Sequence, residues 1–462
     1  MKLPDHDTIA AIATPQGEGA LSIIRLSGPD ALGVADRVFR GAERILDVPA
    51  YTVHYGRVVD AGGRTVDETL ATVFRGPRSF TGEDSVEFGC HGGVLVTHAV
   101  LEAVLGAGAR QAEPGEFTRR AFLNGRIDLA QAEAVADLIA ATSRRAHAVS
   151  LEQLHGKLGE RVKAVRTSLV DLCSLLEIDL DFAEEGLEVI SKREVEQRIR
   201  ETHRSLSAMV ESFELGRICR EGVSVVLTGR PNAGKSSLFN ALLKEDRAIV
   251  TPVPGTTRDA LEENITIAGL LFRLTDTAGL REPTDVVEAE GVKRTAQRVA
   301  AADIVLHVVD ASLAKAVQEK DEALGSENRL VVVAMNKSDL LSQSQRADPA
   351  LAGSTGSRQT VLVSATTGSG LENLRTALAQ VTIANRGVGE GGVLVTNVRH
   401  KEALSRARDG IRLALDSLDG GATNEFIALD VRQAIDSLAE ITGEITSDDI
   451  LNNIFGRFCI GK

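Results

Sequence analysis

The sequence is short of basic residues, which excludes a chain whose main property is general electrostatic binding to nucleic acid. Its 462 residues include 52 Lys and Arg against 65 Asp and Glu, for a formal net charge of −13. Contacts to phosphate groups need Lys and Arg. A nucleic-acid substrate of this chain would therefore have to meet a local basic patch or a basic partner protein.

Cysteine is also scarce, and long apolar runs are absent. The four cysteines, Cys90, Cys173, Cys219 and Cys459, show no CxxC or other metal-ligand spacing, so the sequence favours a reduced cytosolic protein. No apolar run approaches the roughly 20 residues of a membrane span, and the first residues lack the apolar core of a signal peptide. We therefore expect a cytoplasmic protein that does not enter a membrane.

The most informative stretch is residues 229–236, GRPNAGKS, which fits the phosphate-binding pattern G-x-x-x-x-G-K-[ST]. An apolar, β-branched run (223–228) precedes it, as expected of a buried parallel strand, and a run of good helix formers (237–243) follows it. Backbone N–H groups in such a loop cradle phosphate oxygens at a helix N-terminus. We expect Lys235 to reach the β- and γ-phosphates and Ser236 to hold Mg²⁺. A chance match in a glycine-rich loop is the alternative, and the flanking strand and helix argue against it.

A second motif chooses between guanine and adenine. Asn336, Lys337 and Asp339 follow a strand-like apolar run, and a carboxylate there can accept from the N–H donors on the Watson–Crick edge of guanine, which adenine lacks. Such a site discriminates strongly because the wrong base leaves the carboxylate unpaired. Ser364 and Ala365 follow another apolar run and look like the usual support for the guanine ring. These motifs predict a GTPase.

The chain departs from ordinary small GTPases after its next motif. Asp276 ends a strand-like run and is placed to orient Mg²⁺ through water, and Gly279 can give a backbone N–H to the γ-phosphate. Ras-type enzymes place a Gln after this motif to position the attacking water, whereas this chain has Leu280. The chemistry therefore needs another charge and another group to position water.

Two sets of residues are placed to supply these missing parts. Asn232 and the carbonyl groups of the loop 251–257 could together bind a monovalent cation where negative charge develops. The charged loop after the Asp276 motif holds three acids that could position water, namely Asp285, Glu288 and Glu290. For each acid taken alone, a solvated loop is the simpler interpretation.

Before the phosphate-binding loop the chain reads first as an α+β domain. Strand-like runs at 8–13 and 19–25 and a hairpin turning at 60–63 carry this pattern. Unusual polar density lies at 79–87 and at 114–124. The simplest interpretation of the acids and arginines in these two segments is a solvated loop.

Outside the GTPase motifs the rest of the chain reads as helix. Apolar residues from Leu151 to Leu176 recur every three or four positions, which predicts one buried helix face. Residues 191–194 form a capping box that begins another helix, and helical patterns resume after a Gly-rich linker at 385–392. The simplest account is a multidomain α/β and α protein in which a Ras-like P-loop GTPase domain is inserted into a helical bundle domain, with its two ends close together. The expected boundaries are 1–122 for the α+β domain, 123–216 and 385–462 for the two parts of the helical domain, and 217–384 for the GTPase domain.

Together these motifs resemble those of the MnmE (TrmE) family of tRNA-modification GTPases over essentially the whole chain. The C-terminal sequence is very specific to that family. The segments that carry the resemblance are 8–15 (TIAAIATP), 79–84 (SFTGED), 91–93 (HGG), 114–124 (PGEFTRRAFLN), 128–134 (DLAQAEA), 229–237 (GRPNAGKSS), 276–281 (DTAGLR) and 458–462 (FCIGK).

The resemblance implies a role in tRNA modification. Members of this family act on the wobble uridine of certain tRNAs, and with the FAD-binding partner MnmG they install an aminomethyl or carboxymethylaminomethyl group at C5. Their N-terminal domain resembles folate-binding aminomethyltransferase domains, binds 5-formyltetrahydrofolate or a related folate, and mediates dimerisation. Their GTPase is activated by K⁺, which draws the GTPase domains of a dimer together. By this resemblance we expect a homodimer that forms a heterotetramer with MnmG.

The match to the family motifs also assigns roles to single residues. The implied folate contacts are Arg25, Glu87, Lys462 and Arg126, the last at a position that can be Lys in relatives. The implied K⁺ ligands are the Asn232 side chain and carbonyls of Thr251, Val253 and Thr256, and the implied Mg²⁺ ligands are Ser236 and Thr257. The expected catalytic residues are Lys235, Cys459 and Glu288, which matches the acid that positions water. The expected GTP-binding residues are Asn232, Gly234, Lys235, Ser236, Ser237, Thr251, Thr256, Thr257, Asp276, Gly279, Asn336, Lys337, Asp339, Ser364 and Ala365.

The tail cysteine, Cys459, has two interpretations. A small cysteine packed for structure in a C-terminal segment is the commoner case. In relatives, however, this tail is described with the active site, and a thiolate there would be reactive. Both interpretations stay open at the level of sequence.

Two other functions also stay open. A regulatory GTPase that assembles ribosomal particles would share the cation-dependent GTPase core, but it would not need Glu87, the folate-like domain or the CIGK tail. A dedicated basic RNA-binding domain would favour that function, and none is visible in the sequence. A stand-alone folate aminomethyltransferase would leave the GTPase insertion unexplained.

Overall fold

A computed structural model describes most of the chain, in two compact units. The described residues are 7–182, 190–246, 262–276, 297, 299–313, 330–348, 351, 353–355, 358–384 and 393–462. The first unit comprises residues 1–136 with 439–462, and the second comprises residues 137–438. Each unit is built around a sheet of its own.

The first unit contains a seven-stranded sheet with the strand order β3-β4-β5-β6-β2-β1-β7. Neighbouring strands are antiparallel, except that β1 and β7 pair in parallel. The strands predicted at 8–13 and 19–25 and the hairpin turning at 60–63 are confirmed. The strands are β1 (Ile9–Ile12), β2 (Gly19–Ser27), β3 (Phe39–Gly41), β4 (Thr52–Val59), β5 (Thr65–Phe74), β6 (Ser85–Gly92) and β7 (Arg110–Gln111).

One face of this sheet forms the main core of the unit. Along β6, Val86, Phe88 and Cys90 are buried, because alternate side chains of a strand point to opposite faces. Helices α1 (Ala31–Val38) and α2 (Val94–Gly106) pack their apolar residues against the same core. The other face of β6 therefore presents its alternate positions outside this core. Helices α3 (Glu116–Leu123) and α14 (Asp448–Phe455) also lie in this unit.

The polar segments 79–87 and 114–124 are not solvated loops, so that expectation is wrong. Glu116 is 1% exposed and Arg120 is 8% exposed. Their side chains form an ion pair at 2.9 Å, which lets both charges be buried because each has a partner.

The second unit contains a mostly parallel sheet with the order β13-β14-β12-β11-β8-β10-β9. The five inner strands pair in parallel, and β13 and β9 add antiparallel edges. The inner strands are rich in Val, Ile and Leu, as expected of parallel strands covered on both faces. The strands are β8 (Val223–Thr228), β9 (Glu262–Ile267), β10 (Leu270–Asp276), β11 (Ile304–Asp310), β12 (Leu330–Asn336), β13 (Gly353–Thr355) and β14 (Arg358–Leu362).

The helices of the chain before and after this sheet follow the predicted pattern with one difference. The apolar stripe from Leu151 to Leu176 is divided between two helices, because the chain turns at Gly156 with a φ of 84°, a conformation that favours glycine. The remaining helices are α4 (Leu129–Ala140), α5 (Arg144–Leu154), α6 (Lys157–Phe182), α7 (Lys192–Glu211), α8 (Phe213–Glu221), α9 (Lys235–Asp246), α10 (Gln343–Arg346), α11 (Leu371–Ala384), α12 (Val398–Asp419) and α13 (Asn424–Thr442).

Within the second unit, the segment that follows the sheet returns to the helices that precede it. Helix α12 packs along α7. Gln153 donates from Nε2 to Thr396 Oγ1 at 2.9 Å, and Ser212 Oγ accepts from the Val395 backbone N–H at 3.1 Å. A Cβ atom on Gly216 would lie 2.2 Å from the Val395 carbonyl oxygen, so this approach requires glycine. The two chain segments that flank the sheet therefore meet at one place.

Candidate functional site

The conformation of the loop between β8 and α9 requires glycine at two positions. Gly229 and Gly234 have φ values of 132° and 93°, which residues other than glycine rarely adopt. A Cβ atom on Gly229 would lie 2.2 Å from the Val308 carbonyl oxygen, and one on Gly234 would lie 2.2 Å from Asn336 Nδ2. The two glycines thus allow the loop to pass close to β11 and to the residue that ends β12. Asn232 also has a positive φ, of 67°, and is exposed.

The polar groups of this loop converge at the N-terminus of α9. Lys235 donates from Nζ to the carbonyl oxygens of Gly229 at 3.0 Å and Arg230 at 2.9 Å. Ser236 donates from Oγ to Asp276 Oδ2 at 2.9 Å, and Ser237 is exposed in the same turn. A hydroxyl and a carboxylate held together are oxygen ligands of the kind that Mg²⁺ prefers. An ammonium beside the helix N-terminus also suits phosphate.

The base-recognition residues are held by side-chain bonds to neighbouring loops. Asn336 donates from Nδ2 to the Ala233 carbonyl at 2.9 Å and accepts at Oδ1 from the Ala365 N–H at 3.1 Å. The buried Ser364 hydroxyl donates to Asp339 Oδ1 at 2.6 Å. Asp339 is exposed. Its carboxylate is therefore oriented by one oxygen while the other can accept from a ligand.

Asp310 is a member of this site that the sequence did not reveal. It ends β11, and Lys337 donates from Nζ to its Oδ2 at 2.6 Å. Burial acts to raise the pKa of Asp310, but hydrogen bonds from Lys337 and Ser312 outweigh burial and hold that pKa below its ordinary value. The ionised carboxylate therefore fixes the direction of the Lys337 stem beside Asp339. The available signal was its position, since Asp276 ends β10 in the same way.

All of these groups lie where strands of the parallel sheet end. Thr228, Asp276, Asp310 and Asn336 are the last residues of β8, β10, β11 and β12. In open α/β sheets, ligands bind outside the carboxyl ends of the strands. The remaining expected residues, Thr251, Val253, Thr256, Thr257, Gly279 and Glu288, lie outside the described residues. Within the described ranges, no group of three or more His, Cys, Asp or Glu residues could hold a metal ion.

A second polar site lies in the first unit. Arg25 of β2 and Glu87 of β6 are cross-strand partners, and Arg25 Nε donates to Glu87 Oε1 at 2.8 Å. The Arg25 guanidinium also lies over the rings of Phe80, at 5.4 Å, and Phe117, at 5.7 Å. Both partners of the ion pair are partly exposed, so a ligand can reach them.

The C-terminal tail adds a second cation to this site. Arg25 Nη1 donates to the Gly461 carbonyl at 3.5 Å. Gly461 has a φ of 95°, and a Cβ atom there would lie 2.2 Å from the Ile12 carbonyl oxygen, which explains the glycine. Burial and the positive charge of Arg25 lower the pKa of the Lys462 ammonium. Arg25 and Lys462 repel each other because both are positively charged, and an anionic ligand bound between them would relieve that repulsion.

Arg126 approaches the same region through the loop that carries Phe80. Its Nε donates to the Ser79 carbonyl at 3.1 Å, and Asn124 Nδ2 donates to the Thr81 carbonyl at 2.8 Å. Arg126 is therefore tied to the residue before Phe80, whose ring contacts Arg25. No direct bond joins Arg126 to Arg25, Glu87 or Lys462 among the described residues.

A partly buried ion network holds this loop. Glu83 accepts from Ser27 Oγ at 2.7 Å and from Arg120 Nη1 at 3.3 Å. Arg120 also donates to Asp7 at 2.6 Å and to Glu116 at 2.9 Å, and Arg110 donates to the same two carboxylates. The network thus connects the loop of Phe80 to β7 and α3. Sequence reasoning missed it, although the polar density of both segments was a signal.

Cys459 is exposed, unlike the other three cysteines, which are buried. Its carbonyl accepts from the Lys462 N–H at 3.3 Å, so the thiol lies in the turn that places Lys462. Exposure does not fit a cysteine that is packed for structure, and a catalytic role stays a prediction.

The sheet, the glycine-dependent loop after β8 and the base-recognition residues at the end of β12 define a P-loop GTPase. Residues 8–126 match the family described as "GTP-binding protein TrmE N-terminus", and residues 129–459 match "MnmE helical domain". The chain therefore belongs to the MnmE family of tRNA modification GTPases. The match to the N-terminal and helical parts argues against both alternatives, the ribosome-assembly GTPase and the stand-alone aminomethyltransferase.

Individual relatives agree over their full length. The chain is 46% identical to the tRNA modification GTPase MnmE of Geobacter metallireducens, over 99% of each chain. It is 45% identical to the protein of that name from Chlorobium luteolum, over 98% of this chain and 97% of the relative. Among solved structures, the G domain of the T. maritima FeoB iron transporter aligns at 28% identity with 35% of this chain and 99% of its own, with a TM-score of 0.25, too low to bear on the fold. None of the described helices has the length and apolar character needed to cross a membrane.

Proposed function

We propose that this chain is a K⁺-activated GTP hydrolase that takes part in modifying the wobble uridine of certain tRNAs. The observation that carries GTP binding is the Ser364–Asp339 hydrogen bond of 2.6 Å, which orients a carboxylate towards the N–H donors of guanine. The tRNA part is supported by family membership, since the curated relatives are named as tRNA modification GTPases.

In the proposed nucleotide site, the phosphates replace existing bonds of the loop. The Lys235 ammonium exchanges its two carbonyl partners for oxygens of the β- and γ-phosphates, and loop N–H groups complete the cradle. Ser236 and Thr257 would hold Mg²⁺, and Asp276, which already accepts from Ser236 Oγ, would help to orient it. Bound Mg²⁺ and K⁺ supply positive charge where the γ-phosphate develops negative charge. The K⁺ ligands in this proposal are Asn232 and carbonyl groups of Thr251, Val253 and Thr256.

Glu288 is proposed to position the attacking water, because Leu280 cannot. We expect faster GTP hydrolysis in KCl than in NaCl at equal ionic strength. Glu288→Ala should lose most hydrolysis and keep GTP affinity, measured with a fluorescent GTP analogue. Equal rates in the two salts would refute the cation site, and a fully active Glu288→Ala would refute the role of this acid.

For the first unit we propose a site for 5-formyltetrahydrofolate or a related folate. Glu87 accepts from the donor edge of the pterin ring, and Arg25, Arg126 and Lys462 supply positive charge. Calorimetric titration should show that Glu87→Ala and Lys462→Ala weaken folate binding while GTP binding is unchanged. Lys462→Arg is the matched control, because it keeps the positive charge but replaces the ammonium group with a planar guanidinium. Folate that binds equally to all variants would exclude this site.

The assembly around these sites is also proposed by family membership. We infer a cytoplasmic homodimer that forms a heterotetramer with the FAD-binding MnmG. Because this chain has a net charge of −13, we expect the partner to offer the basic surface for tRNA. The GTPase domain is inserted between two parts of a helical domain, a view supported by the packing of α12 along α7. In this arrangement GTP hydrolysis orders a complex in which folate and tRNA are the substrates. Cys459, exposed in the tail, is the candidate thiol for that reaction.

A further inference from the structure

One ion pair, between Asp67 and His91, lies at the end of the regular pairing of β5 with β6 in the first unit. Asp67 of β5 accepts from His91 Nδ1 at 2.7 Å through Oδ1 and from the His91 backbone N–H at 2.8 Å through Oδ2. The regular pairing of β5 with β6 ends at Leu70 and Gly89. The carboxylate therefore replaces the next ladder bond and fixes the backbone and the ring of His91 together.

This arrangement sets the tautomer of the histidine. An ionised carboxylate can only accept, so Nδ1 carries the proton in neutral His91, and Nε2 presents a lone pair. The Asp67 side chain is 11% exposed, whereas that of His91 is 70% exposed. No other hydrogen bond to the His91 ring occurs in the part of the chain that the structure describes. A shielded carboxylate behind a solvent-facing imidazole is the arrangement of a proton-transfer pair.

The neighbours of His91 hold it firmly and do not compete with it. A Cβ atom on Gly92 would lie 2.5 Å from the Gly19 carbonyl oxygen, so the next residue is locked against β2. The preceding residue, Cys90, is buried, and burial raises the pKa of its thiol to about 11. The reactive group of this segment is therefore the imidazole.

His91 shares its face of β6 with Glu87, about 13 Å away along the strand. Gly89 lies between them, and a Cβ atom there would meet nothing closer than 3.7 Å. Packing would thus tolerate a side chain at this position, and its absence leaves an open floor from Glu87 to His91. A ligand held at Glu87 can extend along this floor to the imidazole.

We propose that His91 is the proton-transfer residue for the one-carbon carrier bound at Glu87, with Asp67 as its positioning residue. The inference rests on the proposed folate site. As the second amine nitrogen of the carrier attacks the formyl carbon, a C–N bond forms, the C=O π pair moves to oxygen, which takes a proton from water, and the nitrogen becomes positively charged. Its N–H bond then breaks, the electron pair of that bond stays on nitrogen, and the proton forms a new bond to Nε2. Asp67 remains ionised and stabilises the imidazolium, which then releases the proton to water.

The test uses the full-length protein with its FAD-binding partner in reconstituted tRNA modification. His91→Ala should lower the modification rate roughly 10²–10⁴-fold, and added imidazole should restore part of it, because the site is open to solvent. Affinity for 5-formyltetrahydrofolate and GTP hydrolysis should stay as in the wild type. Asp67→Asn should also slow modification, since an amide that donates to Nδ1 turns Nε2 into the protonated nitrogen. His98→Ala, an exposed histidine of α2 in the same unit, is the matched control and should be fully active.

Each outcome decides between a chemical and a structural role. A wild-type rate in His91→Ala would overturn the inference and leave the folate site standing. A slow His91→Ala that imidazole does not rescue would overturn it in favour of a structural role. A wild-type protein that fails to bind 5-formyltetrahydrofolate would overturn the proposed function first, before any variant is measured.

Discussion

Arg120→Ala should be among the most destabilising single changes in the first unit. The guanidinium bonds to three carboxylates, and its removal leaves Glu116, which is 1% exposed, with one arginine partner fewer. Removing one member of a buried ion pair costs about 3–5 kcal/mol of unfolding free energy when the remaining charge is left without a partner. Because Arg110 still pairs with Glu116, we expect Arg120→Ala to cost less than that, about 1–3 kcal/mol. The Arg120 side chain is only 10% exposed, so water cannot readily take its place.

Urea unfolding of the full-length protein, followed by hydrogen exchange in α3 and the β6 strand, measures this cost. The matched control is Arg37→Ala, which removes an exposed ion pair with Asp30 and should change stability by less than about 1 kcal/mol. Because Glu83 of the network holds the loop of Phe80, Arg120→Ala should also weaken folate binding. If the two arginine variants unfold at the same urea concentration, the reasoning about buried charge is refuted.

Other consequences concern acid stability and nucleotide selection. Burial acts to raise the pKa values of Glu116 and Asp7, but arginine hydrogen bonds hold both below the ordinary value, so their stabilisation is complete above about pH 4–5 and is lost as pH falls through the lower folded-state pKa values. Urea midpoints measured from pH 6 downwards should therefore fall in acid, and a flat profile would contradict this. Asp339→Asn should weaken GTP binding at least about tenfold and favour xanthosine triphosphate, because an amide can donate to the xanthine carbonyl; competition binding checks this, and an unchanged preference for GTP would oppose it. Gly234→Ala should abolish nucleotide binding, since a Cβ atom would lie 2.2 Å from Asn336 Nδ2; titration with a fluorescent GTP analogue would reveal any retained affinity.

The nucleotide site was predictable because its parts are short local patterns. Lys235 and Ser236 follow the glycine-rich loop directly, and Asn336 and Asp339 follow the end of β12. A strand followed by such a motif places it at the carboxyl edge of a parallel sheet, so neighbours in sequence become neighbours in space. Asp310 escaped prediction because it is a single acid whose meaning depends on Lys337, 27 positions away.

The ion network of the first unit could not be predicted from local composition. Asp7 and Arg120 are 113 positions apart, and only the fold brings them together. Acids and arginines at 79–87 and 114–124 have the same polarity whether they are solvated or paired in the interior. For the same reason, only the family resemblance predicted that Arg25 and Glu87 share a site. The sheet register brings them together across 62 positions.

In the helical part, the hydrophobic spacing predicted the buried face but not the break between α5 and α6. The apolar period from Leu151 to Leu176 continues through Gly156 almost unbroken, although the helix does not. When a helix is interrupted but the apolar residues keep the same spacing on both sides, the hydrophobic pattern does not reveal the interruption. The glycine was the available signal, because its left-handed φ ends α5 and allows α6 to begin.

The central claim is that this chain modifies the wobble uridine of tRNA, and nucleoside mass spectrometry of tRNA tests it most directly. Cells that lack the gene should lose the C5-modified wobble uridine, and the wild-type gene should restore it. Complementation with Cys459→Ser would then show whether the tail thiol is needed. An unchanged nucleoside profile in cells without a second copy of the gene would contradict the proposed role in tRNA modification and leave only the GTPase assignment.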